Sequence, residues 1–241
     1  MCALTIVFVV SVFWLVSRSS FFAPQMDVPD FTAYRAGNER KQAFFSFLHP
    51  LVKEANAGIR EEREKLLSLA AKGEPGWWDT RWLHALARDY KLEPDKMPLD
   101  ELMATLTRRV DVIPAGLALA QAAKESGWGT SRFFREGHNL FGHWCFVEGC
   151  GLVPLKRSSS SRHEVAVFDS PLHSVERYMN NLNTHRSYRP LRLIRSRLRS
   201  ENQEVPALAL AEGLESYSER GAPYVEEIKA LIAYNNLENL R

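Results

Sequence analysis

Net charge is nearly absent from this chain: 31 basic residues face 29 acidic ones, leaving +2 over 241 residues. A surplus so small does not call for a nucleic-acid partner. Cysteine is scarce, with only Cys2, Cys145 and Cys150. Zinc-type spacing is missing: His138, His143 and His163 lie near the two later cysteines but match no common ligand pattern. There is no internal repeat. Long apolar runs are also missing, apart from Ala3 to Val16. At about 1.5 Å per residue that run falls short of a typical ~30 Å bilayer core. No Lys or Arg precedes it and no clear small-x-small cleavage site follows; Ala23 has Phe21 two residues before it and Pro24 after it. The run reads as a signal-type segment or a short uncleaved anchor. Its terminal position and all-round apolarity set it apart from a buried domain helix. Export is expected, with the segment retained as an anchor.

What is present suits a globular protein. Hydrophobic residues make up 45% and charged ones 25%, and the length allows one sizeable domain, or one plus an extension. Cys145 and Cys150 bracket a short loop with glycines at 149 and 151 that permit a tight turn. A disulfide is expected there, contributing about 2 kcal/mol in the chain-entropy model. Free thiols and a metal site are the alternatives; an oxidising compartment favours the bridge. Arg186, Arg189, Arg192, Arg195, Arg197 and Arg199 crowd a short stretch that is predicted to be helical after Pro190. A solvated helix face is the expectation, with contact to an anionic polymer or membrane as the alternative.

Periodicity predicts a mainly α chain. Helix is expected from about Thr32 to Lys72, interrupted at Pro50, then from Thr80 to Tyr90, and from an Asp100 N-cap to Arg109. Pro114 opens a helix dense in Ala and Leu, which glycines 127 and 129 end. Residues 139–169 carry Gly, Cys, Ser and short β-prone runs, so a small hairpin lobe is predicted, with 157–162 as its exposed tip. Asp169 or Ser170, then Pro171, starts a helix to about Thr184, and the remainder is helical. The predicted organisation is a hydrophobic segment over 1–20, a linker and helical extension over 21–96, and a main domain over 97–241.

The chemistry centres on Glu125. It ends the Ala-rich helix just before Ser126-Gly127-Trp128-Gly129. The negative end of a helix and apolar surroundings both disfavour a charged carboxylate. A glycosidic general acid must hold its proton near neutral pH, so the position suits that role. For an isolated glutamate the ordinary reading is a surface residue near a helix end. The neighbouring residues change that reading.

Ala120 to Ser131, together with Asn139-Leu140-Phe141-Gly142, resembles the glucosaminidase domain of glycoside hydrolase family 73, in which the helix-terminal Glu is the catalytic acid. The match is closer to the Bax-type branch of Gram-negative bacteria. Residues 139–146, Gly149 to Pro154, Tyr178 to Asn183, Tyr217 to Gly221 with Tyr224-Val225, and the region from Arg40 to Asn56 carry it. The resemblance spans about residues 30–241. It implies a lysozyme-like fold: a helical body, a small β-lobe and a sugar groove between them. It implies a peptidoglycan hydrolase, an endo-β-N-acetylglucosaminidase that cleaves after N-acetylglucosamine without a cofactor or metal. The partner is the glycan strand, the chain is expected to be a monomer in the periplasm, and residues 3–16 would contact the inner membrane.

The second catalytic group is less defined. An inverting enzyme needs a base about 6.5–9.5 Å across the groove, and a retaining one needs a closer nucleophile. Glu164 on the predicted strand is the first candidate and Glu148 in the cysteine loop the second. Failing both, the substrate's own acetamido group could attack, with Tyr188 orienting it. Trp128, Phe141 and Tyr217 are the candidate substrate-binding residues, with core packing as the competing role for the first two. Asn139 is expected to be structural, its amide bonding the backbone where the chain enters the β-lobe. A lytic transglycosylase of the same fold and a catalytically weak wall-binding protein are the competing functions.

Overall fold

The computed structural model describes residues 27–155 and 163–240. Its centre is α4 (Ala115–Glu125), whose residues from Gly116 to Ala123 are all buried. Small Ala and Gly side chains let neighbouring helices approach it from several sides, which accounts for its place in the middle. Against it pack α1 (Asn38–Lys72), α6 (Pro171–Thr184), α8 (Ala207–Ala211) and α9 (Ala222–Tyr234). Leu117, Leu119 and Ala123 of α4 share one core with Phe44, Leu48 and Val52 of α1 and with Ile228 and Ile232 of α9.

Pro50 does not interrupt the first helix, contrary to the sequence expectation; α1 runs through it for 35 residues. A mid-helix proline forfeits one hydrogen bond at about 3 kcal/mol. Buried Phe44 and Leu48 before it, and Leu51 and Val52 after it, hold both halves to the same core. The extension is therefore part of the body. The distal end of α1, with α2 (Trp77–Asp89) and α3 (Leu99–Arg109), builds a second cluster from Leu66, Leu83, Leu86, Tyr90, Leu102 and Leu106. The line drawn at residues 96–97 falls inside that cluster. Asp100 is not the N-cap of α3: Pro98 is, and Asp100 sits in the first turn, where it complements the helix dipole.

The basic stretch also differs from expectation. On α7 (Arg189–Ser200), Arg192 and Arg195 face inward and are buried. The Arg195 guanidinium donates to the carbonyls of Asp111, Val112 and Arg108 at 2.9–3.1 Å and to Asn183 Oδ1 at 2.8 Å. Arg192 donates to Leu182 and His185 carbonyls at the end of α6. Asp111, also buried, pairs with Arg63, Arg195 and Arg199. A charge-counting view of helix faces cannot register carbonyls that converge from α3, α6 and the loop at 110–112. Those carbonyls make burial of the guanidinium tolerable.

The β-lobe is a three-stranded antiparallel sheet in the order β1-β3-β2, from Trp144–Cys145, Glu164–Ala166 and Gly151–Leu152. Trp144 and Leu152 both face Val165 across the central strand. Cys145 and Cys150 are joined by a disulfide with Cα atoms 6.1 Å apart. The expected tip at 157–162 and the apolar segment at 3–16 lie outside the described residues. Among the described residues no helix is long and apolar enough to cross a membrane. A mainly α body with a small β-lobe and a helical N-terminal region is thus what forms, the arrangement expected of a lysozyme-like fold.

Candidate active site

Glu125 closes α4, and the turn after it is tied down locally. Ser126 is buried; its hydroxyl donates to the Ala122 carbonyl at 2.7 Å and accepts from the Gly129 amide at 2.9 Å. Gly127, Trp128 and Gly129 all have positive φ, at 57°, 60° and 77°. Gly129 is needed twice over, since a Cβ there would lie 2.3 Å from the Phe31 ring. Ser131 then caps α5 (Arg132–Gly137) by accepting from Phe134 N–H at 3.2 Å. The N-terminal segment, through Phe31, thereby locks the turn that fixes where the acid points.

The Glu125 carboxyl is partly buried and sits at the end of a polar chain with defined polarity. Tyr178 O–H donates to Gln121 Oε1 at 2.6 Å, Gln121 Nε2 donates to Tyr224 Oη at 2.9 Å, and Tyr224 O–H donates to Glu125 Oε1 at 2.8 Å. Burial raises the Glu125 pKa above its usual 4.5, while the Tyr224 hydrogen bond and the Lys124 charge pull it back in part. Tyr178, Tyr188, Tyr217 and Tyr224 all have hydroxyls pushed upward, chiefly by burial and further by the charge of Glu125. The acid is therefore ringed by neutral hydroxyls. Lys124 itself is engaged 2.5 Å from Glu227, which also binds Arg220.

The structure distributes the other sequence candidates unevenly. Tyr188 is buried, with its ring 5.8 Å from that of Tyr217 and 5.7 Å from that of His185. Tyr217 is half-buried, stacks on Tyr224 at 5.3 Å and donates to the Phe141 carbonyl at 3.4 Å. Phe141 is buried with its ring stacked 3.8 Å from Tyr178, so it offers no open face to a sugar. Trp128 is partly exposed, makes edge contacts with Phe44 and Phe45, and has Lys41 Nζ 5.2 Å above its ring.

Glu164 is buried on β3, and its carboxylate accepts from the amides of Gly149 and Gly151 at 3.2 and 2.8 Å. It ties the cysteine loop to the sheet. Glu148 is exposed in that same loop. Cys145, Cys150 and Glu164 bring ligand-type atoms together, but the disulfide occupies both sulfurs. Asn139 accepts from the Phe141 and His143 amides and donates to the His143 and Ala166 carbonyls, pinning the entry to the β-lobe as expected.

Sequence reasoning missed Gln121 and Tyr224 as site residues. One signal was available: Gln121 is the lone polar side chain between Gly116 and Ala123, four residues before Glu125 and so on the same helix face. Nothing local marks Tyr224, which reaches the acid across 99 residues.

The family model described as mannosyl-glycoprotein endo-β-N-acetylglucosaminidase matches residues 101–237, from α3 to the end of the helical body. The chain belongs to this glucosaminidase family of glycoside hydrolases. Glu125 and the four tyrosines all fall within the matched span. The Protein bax of Escherichia coli (strain K12) is 36% identical over 223 residues, covering 91% of this chain and 77% of that protein. The family span excludes α1 and α2, whereas the match to that relative takes in nine-tenths of the chain. The catalytic domain of the autolysin Auto from Listeria monocytogenes is similar at 16% identity and a TM-score of 0.47, over 87% of this chain and 92% of that domain.

Proposed function

We propose that this glucosaminidase is a peptidoglycan hydrolase that cuts after N-acetylglucosamine, with Glu125 protonating the departing glycosidic oxygen. The observation that carries the reading is the Tyr178–Gln121–Tyr224–Glu125 chain. With Oε1 occupied by the Tyr224 hydroxyl, the other carboxyl oxygen is left to hold the transferable proton. Burial keeps that proton on at a pH where an exposed glutamate would lose it. Once the proton has gone, the Tyr224 O–H and the nearby Lys124 charge stabilise the carboxylate left behind. The endo-β-N-acetylglucosaminidase chemistry is the one that describes the family, and the resemblance to wall enzymes supports peptidoglycan as substrate.

For the other side of the sugar, the acetamido group of the substrate is the better-supported nucleophile. Its carbonyl oxygen attacks the anomeric carbon as the protonated oxygen leaves, and water then opens the ring so formed. Tyr188, buried beside Tyr217 and close enough to feel the charge of Glu125, is the group to orient it. Glu164 is less suited as base or nucleophile because two loop amides already bind its carboxylate. The reading includes export, with residues 3–16 as an inner-membrane anchor and the remainder periplasmic; carbonate washing of membrane fractions tests it.

Digestion of purified peptidoglycan with the full chain and with Glu125→Gln tests the chemistry. Reducing N-acetylglucosamine ends that disappear in the variant are expected by mass spectrometry. Anhydromuramic ends would make it a lytic transglycosylase instead. Binding without any product would leave a wall-binding protein.

A further inference from the structure

Beside Tyr188 lies a cavity of about 380 Å³ between the loop after α2 and the end of α6. Lys91, Arg177 and Arg186 line it, with Asn180, Asn181 and His185 between them, and no carboxylate is among its lining residues. All three cations are exposed, and among the described residues none forms a salt bridge. Nor does the end of α6 require them. Arg192 satisfies the carbonyls of Leu182 and His185, and the His185 amide takes that of Asn181. Three unneutralised cations converging on one concavity make a local positive field that the chain's near-zero net charge conceals.

The cavity adjoins Tyr188 through His185, one of its lining residues. The His185 ring lies 5.7 Å from the Tyr188 ring, which in turn lies 5.8 Å from that of Tyr217. On its far side the cavity shares Lys91, Arg177 and Asn180 with a second cavity of about 530 Å³, which does contain Glu62, Asp89 and Glu176. Carboxylates therefore line the second cavity but not the first. A bare glycan of N-acetylated sugars gives such a patch little to bind. A glycan whose alternate sugars bear peptides with free carboxylates gives it a charged appendage to hold.

We propose that Lys91, Arg177 and Arg186 form a carboxylate-binding subsite that engages the peptide stem of the strand being cut, so that the enzyme prefers stem-bearing glycan. The inference rests on the glucosaminidase reading above. The cations act on KM, since they touch the stem and not the bond that breaks.

The test compares the full chain with the Lys91→Gln/Arg177→Gln/Arg186→Gln variant on intact peptidoglycan strands and on strands stripped of stems by an amidase. The wild type is expected to favour stem-bearing strands about five- to ten-fold in kcat/KM, the scale of a few partly exposed ion pairs. The preference should fall toward one in the variant, through KM, and should weaken with added salt only in the wild type. Equal wild-type kcat/KM on both strands, or an undiminished preference in the variant, overturns the subsite. A parallel sedimentation assay uses Glu125→Gln with and without the three substitutions on the same strands. It separates the two readings: stem-dependent binding that the substitutions abolish, with no cleavage by the wild type, sinks the glucosaminidase reading but keeps the subsite. Matching thermal unfolding of the variants excludes misfolding.

Discussion

Two carboxylates in this protein, the buried Asp111 and the partly buried Glu125, are held in opposite ways. Asp111 is ringed by the guanidinium groups of Arg63, Arg195 and Arg199. Glu125 is ringed by hydroxyls, with Tyr224 donating to it and Tyr178, Tyr188 and Tyr217 nearby. The first arrangement neutralises charge with charge and joins α1, α3 and α7 around one loop. The second offsets the charge only in part, through the Tyr224 hydroxyl and the Lys124 charge, so that burial favours the protonated acid. A buried carboxylate gives either a structural joint or a proton donor, and the neighbours decide which.

The largest effect that should sharpen this contrast is on rate. Glu125→Gln is expected to lower kcat by roughly 10²–10⁴-fold, the usual weight of a general acid, while leaving the fold intact. Its stability effect should run opposite to loss of an ion pair. A carboxyl whose pKa is raised on folding contributes stability below its unfolded pKa, and that contribution is lost as pH rises through the folded value. Thermal unfolding from pH 4 to 8 should therefore show the wild type losing stability relative to Glu125→Gln as pH rises. A variant less stable than wild type at pH 8 would mean that the acid is charged and compensated, like Asp111.

Arg195→Met should do the reverse, with a large loss of stability and little direct effect on chemistry. It strips Asp111 of a partner and leaves several carbonyls and Asn183 Oδ1 without their donor. Breaking a buried pair from one side costs about 3–5 kcal/mol. Urea titration should record most of that, and the fraction still folded should keep near-normal kcat. A loss below 1 kcal/mol would show that the Asp111 joint is dispensable.

Gly129→Ala comes next, because it asks whether the N-terminal region serves the acid. The added methyl meets the Phe31 ring at 2.3 Å, at a residue with φ of 77°. Overpacking costs about 1–3 kcal/mol and the left-handed backbone about 1 more. Stability and kcat should fall together, and Phe31→Ala in the same background should recover part of both by making room. Recovery of neither would show that Phe31 does not set the turn.

How far the sequence could be read follows from the same contrast. Local signals were legible: the Ser170-Pro171 start of α6, the glycines after α4, the short strands around the cysteine loop and the helix-end acid. What it did not show is long-range. Arg195 looked solvated because the carbonyls that bury it come from more than 80 residues away. Pro50 looked like a break because propensity knows nothing of the core on either side of it. Glu164 was a candidate because alternation places it on a strand but says nothing of the loop amides that bind it. The ring around Glu125 draws Tyr178, Tyr188, Tyr217 and Tyr224 from separate elements; Tyr188 and Tyr217 were candidates, whereas Gln121 and Tyr224 were missed.

Tyr224→Phe gives the smallest expected effect and the finest probe of that ring. The phenyl ring keeps the stack on Tyr217 but removes the hydroxyl between Gln121 and Glu125. The carboxylate formed as Glu125 gives up its proton loses one hydrogen bond, worth about 1 kcal/mol, so kcat should drop roughly five- to ten-fold. That same bond lowers the pKa of Glu125, so its loss must raise it. A general acid works while protonated, and activity falls as pH rises through its pKa. The alkaline limb of the kcat profile should therefore move to higher pH in Tyr224→Phe. The two effects pull apart, with a lower maximum and a broader alkaline range. An alkaline limb that moves downward would mean that the hydroxyl had been stabilising the protonated form, and that the polarity from Tyr178 through Gln121 to Glu125 runs the other way.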